Sequence, residues 1–332
     1  MKVLVTGADG FIGSHTVEAL VEAGHDVLAT ALYVSDGSWG WLDSLDAGIL
    51  REIEVVAGDI RDPGYVSRVV GRCESVIHLA ALIAIPYSYV APDSYVQTNV
   101  GGTLNVLNAC RDHGVTRLVH ASTSEVYGTA RYVPIDEDHP LQAQSPYSAT
   151  KMGADHLVNA YVNSFNLPGL TIRPFNTYGP RQSARAVIPT VITQIARGSR
   201  SVELGATSPT RDFSFVRDTA RGFIAGLGAD ETCFGEVFNL GMGTEISVGD
   251  VTRMIADLMD VDVEIHEVDQ RQRPANSEVE RLLSDNTKAK ARLGWTPEFD
   301  GLAGLERGLR ATIDWFCEPG NLAHYPRSGY VV

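Results

Sequence analysis

Residues 2–14 read KVLVTGADGFIGS, and their order decides the fold. Val3, Leu4 and Val5 form an apolar, β-rich run that stops at Gly7, and an apolar helical pattern runs from Phe11 to Glu22. A strand that passes through a glycine-rich turn into a helix is the setting in which three glycines act together. Gly7, Gly10 and Gly13 let the main chain turn tightly and approach a pyrophosphate, whose charge then faces the positive end of the helix. Phe11 and Ile12 lie in the same loop and belong to the candidate cofactor contact.

Outward from this loop, β-rich runs keep alternating with helical stretches. Strands are predicted at Asp26–Leu32, Glu54–Val56, Ser75–Leu79, Arg117–Ala121 and Leu170–Arg173. Helices are predicted over Pro63–Arg72, over Pro92–His113, and from an N-cap at Ser145 through Pro146 to about Phe165. The alternation implies an α/β fold, a doubly wound parallel sheet with helices on both faces. After Pro180 the rhythm breaks into shorter elements, with a last helical pattern from Leu302 to Phe316. The expected division is a dinucleotide-binding domain of residues 1–180 plus about 218–241, and a smaller mixed α/β substrate domain of about 181–217 and 242–332.

The strand ends add to the first ligand site. Asp59, followed by Ile60 in GDIRD, could accept from an adenine amino group or serve as a plain turn aspartate. Ala80 and Ala81 in HLAAL are small enough to let a cofactor pass, and could equally be packing. The second strand ends in Ala31 and Leu32, without an acid where the ribose 2′-hydroxyl of NAD is usually held. Charge there does not decide between NAD and NADP.

The chain has 332 residues, 44% hydrophobic and 20% charged, enough for one large or two ordinary domains. Its 41 acidic against 27 basic residues give a net charge of −14, a field that repels nucleic acid and anionic membranes. Cys73, Cys110, Cys233 and Cys317 are too far apart for a CxxC pair or a disulfide framework. His78, His120 and His266 show no ligand spacing, so no metal is expected. The first apolar run is shorter than the ~7 to 15 residues of a secretory signal, and no stretch offers the ~20 of a membrane span. A cytoplasmic protein is expected.

Tyr147 and Lys151, at i, i+4 in SPYSATKMGADH, share one helix face. A phenol with a pKa of ~10 becomes a useful base only if that value falls, as an adjacent ammonium and an oxidised nicotinamide would make it do. Beyond the predicted strand Arg117–Ala121 comes HASTSEVYG, with Ser122, Thr123, Ser124 and Glu125 outside the carboxyl ends of the strands, where ligands bind in an open α/β sheet. A hydroxyl there can hold a substrate oxygen and a carboxylate can take a proton from carbon. The plainer alternatives are strand-end hydroxyls bonded to backbone and an exposed loop acid.

TGADGFIG, GDIRD, HLAA, STSEVYG, YSATK, RPFNTYGP and RDFSFVRDTA, covering the chain to about residue 220, resemble the extended short-chain dehydrogenase/reductases that act on nucleotide sugars. SEVERLLSDNTKAKARLGW extends the resemblance to about residue 295. It implies a Rossmann domain, NAD as cofactor, a nucleotide-diphosphate sugar as substrate, and a homodimer formed through Pro92–His113 and Pro146–Phe165. Within the family, Thr followed by Asp or Ser and then Glu marks 4,6-dehydratases, and Thr123, Ser124 and Glu125 match that pattern. UDP-glucuronate decarboxylases share it, whereas 4-epimerases usually lack the acid. SWGWLDSL and IPYSYVAPDSYVQTNVGGT look most like dehydratases of N-acetylated sugar nucleotides.

By this resemblance Tyr147 removes the proton of the sugar 4-hydroxyl, Thr123 bonds the C4 oxygen, and Glu125 abstracts the C5 hydrogen. Ser124 stands where other dehydratases have the Asp that protonates the leaving C6 hydroxyl, which leaves the proton donor open. Asn176 matches the asparagine at the substrate phosphates; Arg211 and Arg273 match positions that clamp the diphosphate or the nucleotide ribose. Arg181 and Arg185 read as exposed charge or helpers, and Trp39 and Trp41 as local packing or a ligand cover. The alternatives are a decarboxylase or 4-epimerase on the same scaffold and a non-catalytic dinucleotide-sensing protein, which would discard the reacting groups.

Overall fold

Val3, Leu4 and Val5 have no exposed surface, so β1 (Lys2–Thr6) lies inside a sheet covered on both faces. Successive side chains point to opposite faces, and Val3 and Val5 accordingly enter one core while Leu4 enters another. The structure is a computed structural model that describes residues 1–325; residues 326–332 of the expected substrate domain lie outside the described residues. The other strands are β2 (Asp26–Ala31), β3 (Ile53–Ala57), β4 (Ser75–His78), β5 (Arg117–Ala121), β6 (Gly169–Pro174), β7 (Asn176–Tyr178), β8 (Ser201–Leu204), β9 (Thr210–Phe215), β10 (Val237–Leu240), β11 (Glu245–Ser247) and β12 (Glu264–Glu267).

Seven of them form a parallel sheet in the order β10-β6-β5-β4-β1-β2-β3. The order reverses between β1 and β4, where the loops leaving the two strands diverge and open a crevice. Residues of the helices Phe11–Glu22 and Val216–Leu227 fill one core, and those of Pro63–Val70, Thr103–His113 and Pro146–Phe165 fill the other. This is the doubly wound Rossmann architecture.

Two expectations need correction. The stretch Pro92–His113 is not one regular helix: Pro92–Tyr95 passes into a wider π-helical segment, Val96–Gly102, before Thr103–His113. The wide turn carries Asn99 to the β4 loop, where its side chain accepts from Leu82 N at 2.8 Å and donates to Leu82 O at 2.9 Å. The boundary expected at 180 lies earlier, because the chain leaves the large sheet at Pro174 and β7 already pairs with β9. The sheet β11-β9-β7 and the helices Val187–Ala196, Val248–Leu258 and Gly301–Cys317 enclose a separate core around Tyr178, Phe213, Phe215, Val251, Leu309 and Phe316. β10 rejoins the large sheet beside β6. No helix among the described residues is long and apolar enough to cross a membrane.

Candidate active site

The three glycines of the first loop are there for different reasons. Gly7 has φ +69°, and a Cβ on it would stand 2.8 Å from the Ala80 backbone. A Cβ on Gly13 would lie 2.0 Å from Gly7 O, so the helix can start this close to β1 only without a side chain there. Gly10 differs: its φ of −83° suits any residue, and a Cβ would meet one atom, Gly7 O, at 3.3 Å. The space in front of Gly10, at the N-terminus of Phe11–Glu22, is what a pyrophosphate needs, and the loop therefore fits a dinucleotide.

Around it, Ala80 N donates to Thr6 Oγ1 at 3.2 Å, and half-buried Ala80 and Ala81 line the exit of β4. Ile60 is buried against Gly102, and its carbonyl accepts from Asn105 Nδ2 at 2.9 Å. Asp59 already accepts from Arg61 Nε at 2.9 Å, and Arg61 holds its carboxyl below the usual range. An adenine amino group would share that carboxylate with Arg61. Phe11 stands edge-on to His15 at 6.0 Å, and Ile12 packs against the first core.

The helix Pro146–Phe165 begins with a reciprocal cap in which Ser145 Oγ accepts from Ser148 N and Ser148 Oγ from Ser145 N, both at 3.1 Å. With Pro146 at the first position, this fixes Tyr147 in the first turn, buried against Ile85 and edge-on to Tyr95 at 6.3 Å. Burial pushes the Tyr147 phenol above its ordinary pKa, and a hydrogen bond with Thr123 pulls it back. One turn on, Lys151 donates to Ala121 O at 2.6 Å. Burial draws its pKa down to about 8 against the opposing charge of Asp155. The ammonium is thus anchored on the end of β5, with Tyr147 on the same helix face.

Thr123 ends the extended chain after β5, and its Oγ1 accepts from Glu125 N at 3.2 Å to cap the short turn Ser124–Tyr127. Ser124 and Glu125 are buried, and the Glu125 charge acts on Tyr147. Ser122 turns elsewhere: its hydroxyl donates to Asp155 Oδ2 at 2.7 Å. It joins a buried network in which Arg173 Nη2 donates to the same oxygen at 3.0 Å and Arg173 Nη1 donates to Tyr127 Oη at 2.9 Å. Its proton is engaged there.

A cavity of ≈ 380 Å³ lies between the two halves, with Asn176, Arg211, Arg273 and Glu278 in its wall. Arg211 Nη2 donates to Glu278 Oε1 at 3.1 Å. Arg273 Nη1 stands 3.8 Å from Glu125 and 3.9 Å from Glu278 without making a hydrogen bond, and Asn176 Oδ1 is buried without a partner. Arg273 Nη1 is a free donor that an anionic ligand would satisfy, and Asn176 Oδ1 a free acceptor that a ligand hydroxyl would satisfy. Among the described residues no group of three or more His, Cys, Asp or Glu could hold a metal.

Glu278, which carries the ion pairs of both arginines, was not among the expected site residues, and no local pattern in NSEVERL marks it. Asp155 was also missed, although its position four residues after Lys151 put it on the same face. Arg181 is not exposed: it is 8% accessible and holds Glu18 through two contacts of 2.8 Å. Burial would raise Glu18, but His15 and Arg181 bring it down to about 2. Arg185 is exposed on the rim of the cavity. Trp41 packs on Trp315 and Tyr325 at 5.6 and 6.1 Å, and Trp39 on the first core.

A glycine loop at the β1/β4 crevice, a capped Tyr-Lys helix and a charged cavity beside it define a dinucleotide-binding scaffold of the short-chain dehydrogenase kind. More narrowly, the chain belongs to the extended family of nucleotide-sugar dehydratases and epimerases: the family model described as GDP-mannose 4,6 dehydratase matches residues 4–307. It is 35% identical to the low-salt glycan biosynthesis protein Agl12 of Haloferax volcanii, over 95% of this chain and 98% of that one. It is 32% identical to a putative UDP-glucose 4-epimerase of Methanocaldococcus jannaschii, over 94% and 97%. A dTDP-glucose 4,6-dehydratase from Streptomyces venezuelae, solved with NAD bound, superposes with a TM-score of 0.88 at 29% identity, covering 98% of this chain and 99% of that one. The relatives divide between dehydratases and epimerases, so membership fixes the family and leaves the reaction to the site.

Proposed function

We propose that the protein is an NAD-dependent 4,6-dehydratase of a nucleotide-diphosphate hexose, with N-acetylated hexoses among the candidates. The observation that carries this reading is Glu125, a carboxylate only 9% exposed, one residue beyond Ser124 on the turn that Thr123 caps, whose charge acts on both Tyr147 and Arg211. An epimerase leaves C5 intact and has no use for a base there.

NAD, when bound, supplies an acceptor for the hydride of C4, a donor to return it at C6, and a positive charge near Tyr147. Tyr147 takes the proton of the 4-hydroxyl, with Thr123 holding the C4 oxygen. The resulting ketone makes the C5 hydrogen acidic, and Glu125 removes it. Ser124 is a poor acid, so Glu125 also hands a proton to the departing C6 oxygen, which leaves as water, and Glu125 then returns a proton drawn from solvent to C5. Arg211, Arg273 and Asn176 hold the diphosphate, which replaces the carboxylate of Glu278 on the two guanidinium groups.

The exposed apolar residues Val90, Val96, Leu104 and Phe165, carried by the helical segments Ile85–Val90, Val96–Gly102, Thr103–His113 and Pro146–Phe165, support a homodimer through those helices. Names among the relatives favour a second reading, a 4-epimerase, which would use Tyr147 and Thr123 alike. One experiment separates the two: incubate the protein with UDP-, GDP-, CDP- and dTDP-hexoses and weigh the products. Loss of one water supports the dehydratase. Unchanged mass with inversion at C4, or loss of carbon dioxide from a uronic acid, refutes it.

A further inference from the structure

In a doubly wound dinucleotide site the acid that accepts the adenosine ribose hydroxyl stands at the C-terminal end of β2. Here β2 ends in Ala31, followed by exposed Leu32 and Tyr33. An acid does reach that place, from a different part of the chain. Asp9 lies inside the glycine loop, and its Oδ2 accepts from Leu32 N at 2.9 Å, so the carboxylate is fixed at the first residue beyond β2. Its backbone is clamped too: Asp9 O accepts from Trp41 N at 3.0 Å, and Gly40 packs so closely that a Cβ there would stand 2.7 Å from that oxygen.

Among the described residues no Lys, Arg or His forms an ion pair with half-buried Asp9, and burial raises its pKa, as expected of a carboxylate without a cation. Its charge also reaches Tyr65, whose hydroxyl donates to Val56 O on β3 at 3.1 Å. Asp9, Leu32 and Tyr65 therefore stand together where β1, β2 and β3 end. Such a negative charge in a phosphate-binding loop is unfavourable unless it has a task away from the phosphates.

We infer that Asp9 takes the place of the missing β2 acid, accepting the 2′-hydroxyl of the adenosine ribose and repelling a 2′-phosphate, so that the loop residue makes the chain selective for NAD over NADP. This rests on reading the loop as a dinucleotide site. Two arginines could oppose it: Arg61, which Asp59 engages at 2.9 Å, and Arg68, whose charge acts on Tyr65.

Calorimetric titration of the full chain, freed of copurified nucleotide, with NAD and with NADP tests it without recourse to turnover. NAD should bind at least about tenfold more tightly than NADP, and about 0.5 M salt should narrow that ratio by screening the repulsion. Asp9→Asn, which keeps an acceptor for Leu32 N, should reduce the ratio at least about tenfold, weakening NAD and strengthening NADP. If Asp9→Asn does not fold, the salt dependence of the unaltered protein decides. Equal binding of both nucleotides, a preference for NADP, or a ratio unmoved by salt and by Asp9→Asn would overturn the inference while leaving the dinucleotide site intact. Binding of neither would overturn both.

Discussion

The two sides of the cleft are built from different materials. On the dinucleotide side, shape comes from the main chain: Gly7 lies against Ala80, Gly13 against Gly7 O, and Ala8 N is bonded to Thr30 O at 3.0 Å. On the sugar-nucleotide side, Glu125, Arg211, Arg273 and Glu278 arrive from three separate stretches of chain and meet through contacts of 3.1 to 3.9 Å. At Gly7 and Gly13 the backbone tolerates no added atom, because nothing can move without breaking the strand end or the helix start. A site made of long side chains can lose one member and rearrange the others. Substitutions on the first side should act as switches, and those on the second as graded losses.

Gly13→Ala sharpens the contrast most, since its Cβ would stand 2.0 Å from a carbonyl oxygen. Dinucleotide binding should disappear and the melting temperature should fall; an unchanged NAD affinity by calorimetry would break the distinction. Tyr147→Phe comes next. Turnover should drop by ~10² to 10⁴-fold, the range of a lost general base, while NAD affinity and melting temperature stay close to those of the parent. Near-normal turnover would remove Tyr147 from the mechanism. Arg211→Lys and Arg273→Lys should act mainly through KM, each by about tenfold, because an ammonium keeps the charge and loses the paired donors. A change confined to kcat would place these arginines in the chemistry rather than in binding.

The smallest effect concerns Lys151, whose pKa falls from 10.5 to about 8 on folding through burial. A lysine with a lowered folded-state pKa costs stability while charged in both states, below about 8, and that cost is relieved as pH rises through 8 towards 10.5. Melting curves of the parent and of Lys151→Met should therefore differ by a few degrees, with the variant higher at pH 7 and the gap closing above about pH 8. A pH-independent gap would show that the ammonium is not buried as charge.

The contrast also explains which parts of the site are legible in the sequence. The glycine loop, the Ser145 cap with Pro146, and the Tyr147–Lys151 spacing are local, so each is complete within a few neighbouring residues. The order β1 to β6 followed because buried parallel strands are short apolar runs, and these alternate cleanly with helices. Glu278 gave no local signal, since only its meeting with Arg211 and Arg273 gives it a role. Arg181 looked like surface charge because its partner Glu18 is far away in the sequence. Asn99 in its wide helical turn, and Ser122 bonded to Asp155, likewise depend on where distant strands end.

Turnover in deuterium oxide tests whether Glu125 removes the C5 proton after oxidation at C4. With the correct nucleotide hexose, the unaltered protein should yield a product lighter by one water and carrying deuterium at C5. Glu125→Gln should still build up reduced cofactor absorbance but release no dehydrated product. A product of unchanged mass inverted at C4, or one lighter by carbon dioxide, with Glu125→Gln still active, would contradict the account.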